Sequence, residues 1–154
     1  MKNSRVSFFL CVLICAPLAY LRPEEEHPRY TAARLMNKFK HILEGKIELE
    51  KSHIFTEDIT VDDCGQSGDY EYLSKKLEAL IPNLSQADIS VKFAYLVPFI
   101  NNTIQFSTDE ALTLRNRSVV QGEKAFFARV DDEENEYQIF EIRSLTCHQQ
   151  RNIS

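Results

Sequence analysis

The chain has 154 residues, a one-domain length, with 44% hydrophobic and 27% charged residues, which is the composition of a folded globule and not of a disordered segment. Its 23 acidic against 18 basic residues give a formal net charge of −5, which argues against binding nucleic acid or an anionic membrane through bulk charge.

Lys2 and Arg5 precede the apolar run Val6-Ser7-Phe8-Phe9-Leu10-Cys11-Val12-Leu13-Ile14-Cys15-Ala16, and small residues stand at Ala16 and Ala19. A charged start, a short apolar centre and small residues after it predict a secretory signal peptide over residues 1–19, with the mature chain starting between Ala16 and Arg22. A spanning helix needs about 20 apolar residues. This run is broken by Pro17 and ends by Leu21, so a stable membrane anchor is not expected. Cleavage removes two basic and no acidic residues, taking the net charge from −5 to −7. It also removes Cys11 and Cys15, leaving Cys64 and Cys147. An even pair in an oxidising compartment predicts one disulfide. The adjacent Cys147-His148 lacks the spacing of a zinc chelate, so no metal or other cofactor is expected. Residues 20–29, with Pro23, Pro28 and Glu24-Glu25-Glu26, read as a solvated linker before a domain over 30–147, and 148–154 as a polar tail.

From Thr31 the apolar residues Ala32, Leu35, Met36, Phe39, Ile42 and Leu43 recur at steps of three and four, which predicts a helix over 31–44 with one buried face. Thr31 is a candidate cap, Pro28 would allow an earlier start, and Gly45 is a suitable stop. Lys38, Lys40 and His41 fall on its wet side. A second, shorter helix is expected over 47–55, with Leu49, Ile54 and Phe55 inward and His53 half-buried among them. Gly65-Gln66-Ser67-Gly68 reads as a turn, since it lacks the Lys-Ser/Thr ending of a phosphate loop. Asp69 caps a third helix over 70–81, carrying Leu73, Leu77 and Leu80 on one face and ended by Pro82.

Beyond Asn83 the period becomes two. Ile89, Val91, Phe93, Tyr95 and Val97 alternate with Ser90, Lys92, Ala94 and Leu96 as a half-buried strand. Ile104-Gln105-Phe106 resumes extended structure, 111–116 is a further short strand, and 118–130 a longer one around Ala125-Phe126-Phe127-Ala128. The run Asp131-Asp132-Glu133-Glu134-Asn135 is a solvated hairpin turn, without the glycine and ligand spacing of a calcium loop. Residues 137–147 form the last strand, its alternation slipping between Ile139 and Phe140 in the manner of a bulge. The glycosylation sequons at Asn83, Asn101 and Asn116, with a fourth at Asn152, all fall in turns or in the tail.

Helices followed by long antiparallel strands describe an α+β domain, about three N-terminal helices packed on one face of a curved sheet of four to six strands. A helix, then Ile54-Phe55-x-x-Asp58-Ile59-x-Val61, then Cys64-Gly65, then a helix ending Leu77-x-x-Leu80-Ile81-Pro82 resembles the nuclear transport factor 2-like proteins of the cystatin-like superfamily. Within that family the chain resembles small secreted nematode members, which have a cysteine after the first strand and another at the end of the last. The resemblance spans about residues 30–147. It departs in having no tryptophan, where Tyr137 stands at the start of the final strand, and no Gln-x-Val-x-Gly inhibitory loop of cystatins.

The resemblance implies a cone-shaped domain with a cavity between helices and sheet. The family's enzymes place an aspartate with tyrosine or histidine inside the cone. Asp58 matches an acidic position that is structural in such proteins, and no inward Asp-Tyr or Asp-His pair is readable, so no catalytic residue is assigned. The expected function is a secreted, non-enzymatic module. Its partner would be a small apolar ligand, in a pocket lined by residues such as Leu73, Phe93 and Phe126, or a protein, a second copy of the chain included. The alternative is a lyase or isomerase using a carboxylate in the cone.

Overall fold

The computed structural model describes residues 26–147 and the backbone of 149–151. The predicted signal peptide, most of the linker and Asn152 lie outside the described residues. Among these, the order is α1 (Pro28–Leu43), β1 (Phe55–Asp63), β2 (Gln66–Gly68), α2 (Tyr70–Leu80), β3 (Leu84–Leu96), β4 (Thr103–Leu114), β5 (Val119–Val130), β6 (Tyr137–Ser144) and β7 (Gln149–Arg151), with a 3-10 turn at Ile81–Asn83. The architecture is α+β. Six strands run in the order β2-β1-β6-β5-β4-β3 as a curved, unclosed sheet, and β7 pairs with β5 off that path. The tail expected to be plain polar chain therefore contributes a short strand.

α1 begins three residues ahead of Thr31. Pro28 occupies its first turn and the His27 side chain accepts a bond from the Arg29 amide. Thr31 donates instead to Glu26, which also holds Arg34, each at 2.9 Å. The helix ends in a Schellman arrangement: the Gly45 amide donates to Ile42 and the Lys46 amide to His41, with Gly45 at φ 68°. Its apolar stripe is buried throughout and lies chiefly across β3. Lys38 reaches Glu136 at 2.7 Å and holds that carboxyl below its usual range. α2 starts where expected, with the Asp69 carboxylate accepting from the Tyr72 amide, and packs against β1.

The second expected helix, over 47–55, does not form, so two α-helices stand where about three were predicted. The Ser52 hydroxyl donates to the Leu49 carbonyl and accepts from the Ile54 amide, closing a local turn in place of a helical ladder. His53 then takes a left-handed φ of 49°, which no helix tolerates, and its side chain is exposed beside Glu134 instead of half-buried. Ile54 and Phe55 are buried because they join the sheet: the Ile139 amide donates to the Ile54 carbonyl, and Phe55 pairs with Ile139.

That junction makes β1 and β6 parallel, with Val61 opposite Ile142 and Asp62 opposite Arg143. The expected all-antiparallel sheet thus carries one parallel pair. β1 and β2 form a two-residue hairpin through Cys64 and Gly65, at φ 56° and 84°, the positive-φ geometry that matches strand twist. Of the expected turn Gly65-Gln66-Ser67-Gly68 only Gly65 lies in the turn, and Gln66–Gly68 is β2. Gly68 cannot carry a side chain, since a Cβ there would come within 2.3 Å of the Tyr72 ring. The Cys64–Cys147 disulfide is formed, with Cα atoms 5.5 Å apart, just past the ends of the paired strands β1 and β6.

β4 is one strand from Thr103 to Leu114, where the sequence pattern suggested two pieces. Its even positions Ile104, Phe106, Thr108, Glu110 and Leu112 are all buried. Phe106 stacks on Phe126 at the centre of the core, ring centroids 5.1 Å apart, and Phe39 of α1 meets Phe55 edge-on.

Candidate functional site

Between the helices and the sheet lies a cavity of about 400 Å³. Phe39 and Leu43 of α1, with Leu73, Leu77 and Leu80 of α2, form one wall; Val61, Leu112, Val120, Phe126 and Ile142 of the sheet form the other. The volume falls within the range of small-molecule sites, and the lining is mostly apolar, which favours a ligand of the same character. Period-two alternation puts these residues there: each strand offers every second side chain to the cone.

Five polar side chains interrupt that lining. Glu110 on β4 pairs with Lys124 on β5 at 2.8 Å; the Glu110 side chain is 2% exposed and that of Lys124 20%. The strand register puts Glu110 opposite Gly122 and Thr108 opposite Lys124, so the pair is a diagonal contact across the sheet, and the Thr108 hydroxyl donates to Glu110 at 3.4 Å. At the solvent side, Asp63 pairs with Lys76 and accepts from the Ser144 hydroxyl at 2.8 Å. Burial works against the Asp63 charge, but Lys76 and Ser144 outweigh it and keep the carboxyl below its ordinary value. For Lys76, likewise, burial is outweighed by the bond to Asp63, and the ammonium is raised above its ordinary value. The cavity therefore holds two acid–base pairs, one deep and one at the edge.

The residues singled out in the sequence scatter around this cavity. Leu73 and Phe126 line it as expected, but Phe93 does not: it is 45% exposed on the opposite face, stacked on Tyr95. An irregularity in register between Val91 and Phe93 explains this. Val91 pairs with Thr108 and Phe93 with Ser107, so one extra residue on β3 moves everything after it to the other face. Asp58 also points outward, where Arg129 grips both of its oxygens at 3.0 and 2.8 Å. His41 on α1 lies outside the cavity. Asp131 accepts from the Glu133 and Glu134 amides, both at 2.9 Å, which fixes the acidic turn. Asn83, Asn101 and Asn116 are exposed. The Asn83 amide donates to Ala79 at 2.9 Å, and the Asn116 carbonyl accepts from Ser118.

The Glu110–Lys124 pair was missed in the sequence. Its signal was parity: Glu110 continues the buried positions 104, 106 and 108, and Lys124 shares parity with Phe126. Splitting β4 between Phe106 and Ala111 hid the first of these.

Two larger concavities open at the surface. One, of about 800 Å³, passes Asp88, Asp109, Glu123 and Thr146; the other, of about 1200 Å³, is walled by His53, Asp58, Arg129 and the acidic turn. Both are lined mainly by polar and charged side chains. Among the described residues no helix is long and apolar enough to cross a membrane, and no group of three or more His, Cys, Asp or Glu is placed to hold a metal ion.

No family model matches the sequence, and neither does any curated protein. Solved structures do match in fold. A candidate aromatic ring hydroxylase from Novosphingobium aromaticivorans superposes with a TM-score of 0.62 at 13% identity, over 80% of this chain and 93% of that one. A candidate ketosteroid isomerase from Shewanella frigidimarina gives 0.57 at 10% identity, over 74% and 94%. A nuclear transport factor 2-like protein of unknown function from Exiguobacterium gives 0.51 at 11% identity, over 75% and 98%. At such identities the likeness is one of fold, and the fold is nuclear transport factor 2-like.

Proposed function

We propose that this is a secreted, non-enzymatic binding domain whose cone holds a small, mostly apolar ligand. The observation that carries the reading is the cavity of about 400 Å³, walled by leucine, valine, isoleucine and phenylalanine side chains with few polar groups. The names of the two neighbours, for an aromatic ring and a ketosteroid, belong to compounds of that apolar kind. Secretion is supported by the pattern of residues 1–19, by the disulfide and by three exposed sequon asparagines. Titration with the neutral dye N-phenyl-1-naphthylamine tests the binding. Wild type should give saturable fluorescence with one site per chain, and Val120→Trp, which fills the cavity, should abolish it while leaving the melting temperature near that of wild type. Dye binding that survives this filling would overturn the reading.

One observation favours proton transfer as a second reading: Glu110 is a carboxylate buried in the cone. A carboxylate so placed can act as a base towards a carbon acid bound beside it. Deuterium exchange from solvent into a small cyclic ketone, followed by NMR, decides between the two. Exchange catalysed by wild type and lost in Glu110→Gln would establish the enzyme; none beyond the buffer rate leaves the binding domain.

A further inference from the structure

Apolar contact alone does not account for an ion pair in the floor of the chamber. Burying an ion pair costs desolvation that an apolar pair of similar volume would avoid, so Glu110 and Lys124 do not explain themselves as stabilisers. Their hydrogen-bonding capacity is larger than their mutual contact uses. An ammonium carries three donors and a carboxylate about four acceptor positions. The contacts in the structure engage one donor of Lys124, and Glu110 accepts from Lys124 and, at 3.4 Å, from Thr108. A group seated between them can thus accept from the ammonium and donate to the carboxylate at once.

Charge balance narrows that group further. Glu110 is matched by Lys124 and Asp63 by Lys76, so the cavity's four charges sum to zero. An ionised head group would bring an uncompensated charge into a water-poor site, where it is heavily penalised. A carbonyl or ether would satisfy Lys124 alone. A hydroxyl satisfies both partners and adds no charge.

We infer that the ligand is a neutral apolar alcohol, its hydroxyl placed between Glu110 and Lys124 and its hydrocarbon against Phe126, Leu77 and Val120. This rests on the binding reading above and specifies its ligand class.

The test is displacement of bound N-phenyl-1-naphthylamine at pH 8 by three probes of equal chain length: 1-decanol, decyl methyl ether and decanoate. Hydrogen bonds to charged groups correspond to about a tenfold or larger effect, so decanol should displace the dye at about one-tenth the concentration that either of the others needs. In the double variant Glu110→Leu, Lys124→Met the dye should still bind while decanol loses its advantage over the ether. Decanoate or the ether matching decanol on wild type would overturn the inference, whether or not the double variant folds. So would a decanol advantage that persists without the pair. Failure of wild type to bind the dye at all would remove the cavity reading itself, and with it this ligand class.

Discussion

The two faces of the sheet carry similar residues under different conditions. Inside the cone, Phe126 is fully buried and Glu110 and Lys124 pair beneath apolar side chains. Outside, Phe93 and Tyr95 stack in partial contact with water, and Arg129 pairs with Asp58 while lying over Phe140 at 5.2 Å. Arg143 pairs with Glu141 and lies over Phe127 in the same way. What separates the faces is water and not residue type. A ring or an ion pair inside is tied to the packing around it, whereas outside each exchanges one set of contacts for solvent at small cost.

Truncating the two phenylalanines should separate the two faces by the largest margin. Phe126→Ala should destabilise the domain by about 3–5 kcal/mol, through lost transfer energy and the void it leaves. Phe93→Ala, at a site already 45% exposed, should cost under about 1 kcal/mol. Denaturant unfolding of both variants measures the difference, and equal losses would mean that the register shift at Lys92 is misplaced.

The disulfide ties the chain just past the ends of β1 and β6, two neighbouring strands inside the sheet. It closes a loop spanning a sequence separation of 83, for which the chain-entropy model gives up to about 4.5 kcal/mol and measured cases about 2–4. Cys64→Ser should therefore lower the melting temperature of the oxidised protein by a corresponding amount and leave one free thiol at Cys147. A variant that melts with wild type would show that β1 and β6 hold together without the bond.

The ion pairs give the smaller contrast. Lys124→Met leaves the Glu110 carboxylate buried without its partner and should cost about 3 kcal/mol, the low end for broken buried pairs because Lys124 keeps some exposure. Adding Glu110→Leu should recover most of that loss. Arg129→Ala, breaking a pair of half-exposed side chains, should cost under about 1 kcal/mol. Thermal melts of the four proteins suffice, and an Arg129→Ala loss as large as that of Lys124→Met would erase the distinction between the faces.

Local signals in the sequence located α1, α2, their stops and the disulfide, because capping, helical spacing and a cysteine count are all read within a short window. The missing 47–55 helix shows the limit of such windows. Leu49, Ile54 and Phe55 were expected to face inward from a short helix, yet Phe55 answers to Ile139, more than eighty residues away. Phe93 shows the same limit for strands: perfect alternation through Val97 gave no hint of the extra residue that the register with β4 reveals. The cone was implied by the family resemblance, but its floor was not. Glu110 and Lys124 are made neighbours by the pairing of β4 with β5, and a charged residue in a strand reads as a wet one until the parity of the whole strand is known.

On the proposed function an apolar ligand enters the cone and not the exposed apolar tip of the β3–β4 hairpin, where Leu96, Phe99 and Ile100 stand in solvent. Methyl NMR separates the two places directly. With N-phenyl-1-naphthylamine added stepwise to protein labelled at its isoleucine, leucine and valine methyls, saturable shifts are expected at Leu77, Val120 and Ile142, with Leu96 and Ile100 unmoved. Shifts at Leu96 and Ile100 with Leu77, Val120 and Ile142 unchanged would contradict it.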